Sequence, residues 1–143
     1  MNPIPEAIKT FLLENSISTV CFVDHHTKPY CINCFYLYEP NQNLLIFKSS
    51  PGTTHHEFTN AQASVSGTIL PKSIDVVKLK GLQFWGNVLE DELLSRFSLS
   101  TAYLKKYPMS FAIPGYVWAV QIISAKLTDN TLGFGNKTTW QSV

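Results

Sequence analysis

The sequence predicts a mainly β protein, a small closed barrel of six mostly antiparallel strands with short helices between some of them. Three observations predict it. Apolar residues recur with a period of two in segment after segment, the spacing that turns one strand face inward. Turn-forming clusters such as Asp24-His25-His26-Thr27-Lys28-Pro29 and Asn41-Gln42-Asn43 separate these segments at hairpin distance. A helix does not follow each strand in turn, as a doubly wound parallel sheet requires.

The elements follow in chain order. Ile4, Ala7, Ile8, Phe11 and Leu12 are spaced as the apolar stripe of a helix, with Asn2 as its expected cap and Pro3 in its first turn. From Ile17 the period changes to two, and Ile17, Thr19, Cys21 and Val23 share one face of a strand. Residues 30–38 form an aromatic second strand and residues 44–49 a third. Ser50-Pro51-Gly52 stops the third strand, and a short helix is expected over 53–60. Strands at 63–70 and 76–89 come next, the latter with Gly81 and Gly86 as places for a bulge or a close backbone approach. Asp91 is the expected cap of one helix reaching about Lys106. The last long strand spans 116–127, and the tail from Asn130 to Trp140 reads as loop.

The 143 residues fit one domain over 1–143. Eleven basic and ten acidic residues leave a net charge of +1, and only 15% of residues are charged where about 25% is usual. That balance argues against a nucleic-acid binder, including a barrel that stacks single-stranded bases, and against a membrane-surface binder. No membrane span or secretory leader is legible, and three cysteines suit a reducing compartment, so a cytoplasmic location is expected. Nine Phe, six Tyr and three Trp exceed what so few charges can screen, so part of the aromatic surface is expected in an interface or a ligand cleft.

Cys31-Ile32-Asn33-Cys34 has C-x-x-C spacing, but residues three apart on a strand point to opposite faces, and both cysteines are read as packing residues. His25-His26 is read as a solvated turn tip, and no metal site is expected. The stretch Lys48-Ser49-Ser50-Pro51-Gly52-Thr53-Thr54-His55 joins hydroxyls, cationic groups and helix-start N–H donors, the chemistry that holds a phosphate. An ordinary capped helix after a polar turn explains the same residues equally well. No nucleophile or acid/base pair stands out, so a catalytic role is unknown for every residue and any hard chemistry would fall to a cofactor.

Taken together, the Cys31-x-Asn33-x-Phe35-Tyr36 strand, the strand ending in Ser49, the Thr53-Thr54-His55 helix start, the Gly81-x-Gln83-Phe84-x-Gly86 strand and the tail from Thr128 to Gly135 resemble the YhbP-like group. That group belongs to the FMN-binding split-barrel superfamily typified by pyridoxamine phosphate oxidase. The resemblance implies a six-stranded split barrel that forms a homodimer, with two FMN sites at the subunit interface. It implies that Asn33, Phe35 and Tyr36 lie along the flavin, and that Lys48, Ser49, Ser50, Thr53, Thr54 and His55 hold its phosphate. Gln83, Lys137 and Trp140 would approach the ring's polar edge or cover the site. The oxidases' Arg/Lys pair is missing here, so phosphate binding would rest on hydroxyls, N–H groups, Lys48 and a protonated His55. The implied activity is flavin-dependent oxidoreduction of a small substrate, with nicotinamide as a possible donor. The alternative is a non-catalytic carrier of flavin, haem or another planar ligand.

Overall fold

The computed structural model describes residues 2–59 and 63–143. Its elements are α1 (Glu6–Glu14), β1 (Ile17–Val23), β2 (Pro29–Glu39), β3 (Leu44–Ser49), a 3-10 turn (Thr54–Phe58), β4 (Ser64–Ile69), β5 (Lys80–Val88), α2 (Asp91–Arg96), α3 (Leu99–Lys106), β6 (Tyr116–Asp129) and β7 (Lys137–Gln141). Every strand pairing is antiparallel, in the order β3-β2-β1-β4-β5-β6-β7. A further β3–β6 pairing closes the first six strands into a barrel. β7 lies outside that ring, on the β6 edge beyond the stretch that β3 occupies.

The period of two decides which side chains fill the barrel. Val20, Phe22, Tyr36, Leu45, Phe47, Leu82, Phe84, Trp118 and Val120 point inward, and the apolar stripe of α1, Ile8, Phe11 and Leu12, packs against them. Burying each such side chain contributes about 1.5–3 kcal/mol. β3 is buried on both faces because Leu44-Leu45-Ile46-Phe47 is apolar throughout, and its outer residues Leu44 and Ile46 pack under Leu89, Leu99 and Tyr103.

Four local expectations are corrected. Asn2 does not cap α1: its backbone N–H and its side-chain Nδ2 donate to the carbonyls of Ser142 and Gln141, and Pro5 takes the cap position. The expected helix from Asp91 to Lys106 is two helices, broken at Ser98 with φ of 52°. At about 100° per residue an unbroken helix would carry Leu99 far from the face of Leu93 and Leu94, whereas the break lets all three meet one apolar cluster. Residues 76–79 do not join β5. The tail after Lys137 is not loop but strand, hidden from sequence reading by its five-residue length. Asn60, the expected end of the 3-10 turn, lies outside the described residues. At Gly86 the β5–β6 register slips, and a Cβ there would sit 2.4 Å from Val120 Cγ1, so the expected close approach is real.

Candidate functional site

The outward positions of the strands line up in two transverse rows. Asn33, Thr19, Thr68, Gln83, Lys126 and Thr139 form one, through the register β2-β1-β4-β5-β6-β7. Cys31, Cys21, Ser66, Trp85, Ser124 and Gln141 form the other. Between these rows runs a groove of about 560 Å³, lined by both cysteines, the five hydroxyl residues, Gln83, Trp85 and Lys126, with Gly67, Phe84, Ala125 and Trp140 in its floor. Its size falls in the range of small-molecule sites. Trp85 is 65% exposed and presents an indole face.

The expected site residues divide between this groove and the far end of β3. Gln83 and Trp140 line the groove. Trp140 is fixed there by its Nε1, which donates to the Asn2 carbonyl. Asn33 lies at the end of its row and accepts from Thr19 Oγ1 at 2.6 Å. Phe35 is exposed on the same outer face of β2. Tyr36, one position on, points inward, has no exposed surface and donates its hydroxyl to the Leu12 carbonyl. Strand alternation thus removes it from any ligand on the outer face. Lys137 is an exposed residue of the edge strand and does not line the groove. Lys126 does, and sequence reading missed it. Its signal was its place opposite Gln83, which only the register reveals.

At the end of β3 the expected phosphate residues are largely engaged with the protein itself. Lys48 Nζ donates to the Ser110 carbonyl at 2.6 Å. Ser49 is buried, with Oγ accepting from Trp118 Nε1 at 2.9 Å and lying 2.6 Å from His55 Nε2. His55 is itself buried against Phe22 and Trp118. Burial first, and the neighbouring His56 second, lower its pKa, which disfavours the cationic ring expected to hold a phosphate. Trp118 only donates, so the Ser49 hydroxyl accepts there, and its direction with His55 Nε2 follows the histidine tautomer. Ser50 and Thr54 remain exposed. Among the described residues, Thr53 Oγ1 and Tyr116 OH are buried with no hydrogen-bond partner, and Tyr116 is the β6 partner of Ser49. The expected capped helix is a 3-10 turn whose N-cap residue Thr53 makes no side-chain cap hydrogen bond, so the Thr53 and Tyr116 hydroxyls are unspent hydrogen-bonding capacity at this loop.

No protein-family model matches the chain. The UPF0306 protein YhbP of Salmonella paratyphi A is 34% identical over 134 residues, covering 94% of this chain and 90% of that protein. Among solved structures, a protein of the pyridoxinephosphate oxidase family from Clostridium acetobutylicum superposes with a TM-score of 0.62 at 13% identity, over 95% of this chain and 92% of that one. A FAD-binding protein from Mesorhizobium loti gives 0.60 at 17% identity, over 87% and 94%. A heme binding protein from Mycobacterium smegmatis gives 0.65 at 15% identity over 96% of this chain, which spans 59% of that protein. At these identities the likeness is one of fold, the split barrel.

Proposed function

The chain belongs to the UPF0306 family of YhbP proteins, and from that premise we propose that it is a flavin-binding protein, taking FMN on the outer face of the barrel for oxidoreduction of a small substrate. The observation that carries this reading is the groove between the two rows, with an exposed indole and an amide–ammonium pair in one cavity. A bound flavin supplies hydride and electron transfer. The chain's own residues bind and orient: Trp85 offers a ring face for stacking, Gln83 donates from its amide, and Lys126 places positive charge beside it, where negative charge on a bound ring is stabilised. The fold shared with the Mesorhizobium loti FAD-binding protein supports the same ligand class.

For the phosphate, the residues that fit are Ser50, Thr54 and the unpartnered Thr53 hydroxyl, since Lys48 and His55 are engaged. Binding through hydroxyls rather than cations makes the affinity modest. We further propose a homodimer, which would cover part of the exposed apolar surface. A nicotinamide or similarly small donor fits the open groove. Carriage of a planar ligand without turnover is the second reading, favoured by a groove that holds no carboxylate. No histidine lines the groove either, so haem iron there would depend on Cys or Lys, and flavin is the better match.

FMN titration followed by flavin fluorescence tests the proposal. Saturable binding is expected, weakened by about tenfold or more in Trp85→Ala through loss of stacking and buried area. Absence of saturable binding into the high micromolar range overturns it, and a haem Soret shift without flavin binding supports the carrier reading.

A further inference from the structure

Cys21 and Cys31 are directly opposed on β1 and β2. Tyr36 N donates to the Ser16 carbonyl and Asp24 N to the Lys28 carbonyl, and these two bonds fix the phase of the ladder. Even-numbered β1 positions exchange hydrogen bonds with β2, and odd-numbered ones such as Cys21 do not. In such non-hydrogen-bonded pairs the Cα atoms stand about 4.5 Å apart and the side chains lean together. That spacing lies within the roughly 4.4–6.8 Å a disulfide spans. The two thiols are close enough to perturb one another electrostatically, and Cys21 Sγ lies 3.8 Å from the Phe22 carbonyl oxygen. Both line the groove, Cys31 exposed and Cys21 half-buried. Cys34, by contrast, points inward, its Sγ 3.5 Å from the Lys48 carbonyl oxygen. The pair able to react is therefore a cross-strand one, not the C-x-x-C spacing, and the reading of Cys31 as a packing residue is corrected.

We propose that Cys21 and Cys31 are a reversible redox site at the rim of the groove, closed to a disulfide by exchange with a low-molecular-weight disulfide of the glutathione class. Cys31, the exposed thiol, attacks as its thiolate, forms a mixed disulfide and releases one reduced glutathione. Cys21 then gives up its proton and attacks the Cys31 sulfur, closing the bridge and expelling the second glutathione. The protein loses two electrons, glutathione disulfide gains them, and the two thiol protons end on the two glutathione thiols. The bridge ties β1 to β2 along the groove's edge and removes two weak donors from its lining. The site stands whatever ligand the groove takes.

The test incubates the full chain with oxidised glutathione, without FMN, and follows intact mass and thiol count. Expected is an intramolecular disulfide that leaves one titratable thiol of three, Cys34, and reopens with reduced glutathione. Cys21→Ser should instead hold a stable glutathione adduct on Cys31, and Cys31→Ser should form no bridge. A wild-type chain that keeps three thiols, stops at the mixed disulfide, or cross-links to a second chain overturns the proposal.

Discussion

Replacing Ser49 with alanine separates a structural from a ligand-binding role at the position where a phosphate contact is expected. Its Oγ takes the Trp118 indole N–H at 2.9 Å and lies 2.6 Å from His55 Nε2, all three residues being at least nine-tenths buried. Alanine strands both ring nitrogens among Phe22 and Phe47. A stranded buried group costs about 1–3 kcal/mol, so the pair costs roughly 2–6 kcal/mol. That is a large share of the about 5–15 kcal/mol that holds a domain folded. With an m-value near 2 kcal/mol/M, the urea midpoint followed by tryptophan fluorescence at alkaline pH should fall by about 1–3 M. FMN affinity of the folded fraction should not change, because the oxygen is already spent inside the protein. A midpoint shift under about 0.3 M would refute the reasoning, since it would mean the three-residue cluster carries no net energy.

Stability should depend on pH through His55, whose folded pKa lies below its unfolded value of about 6.5. The stabilisation is complete above that value and is lost as pH falls from it through the folded pKa; His55→Gln should flatten this limb in a urea series, and a flat wild-type curve contradicts it. Gly67→Ala places a Cβ 2.4 Å from Phe84 Cζ and 2.5 Å from the Thr19 carbonyl oxygen. The ring can turn but the backbone oxygen cannot, so a loss of about 1–3 kcal/mol or more is expected in thermal or urea unfolding. Tyr36→Phe removes the hydroxyl bonded to the Leu12 carbonyl. It should cost about 1 kcal/mol of stability while leaving FMN titration unchanged. Lys126→Ala should weaken FMN binding where Lys137→Ala does not, and equal effects would move the site away from the groove.

The strand sequence, the hairpin turns and the α1 stripe were legible because period and turn chemistry are local properties of the chain. So were the opposite facings of Cys31 and Cys34 and the close approach at Gly86. The misses have a common cause. Leu93 and Leu99 lie on one apolar face only because the helix breaks at Ser98, and β7 is a strand only because β6 offers it an edge. The same limit governs the site. Sequence alone set the alternation that faces Thr19, Cys21 and Asn33 outward, but which residues become neighbours is a matter of register between distant strands. Register placed Lys126 beside Gln83 and Cys21 against Cys31, and barrel closure drew Ser49 and His55 inward to Trp118. Residue type and spacing along a chain encode which face a side chain takes. The pairing of strands decides what it meets there, because that depends on the free energy of the whole closed core.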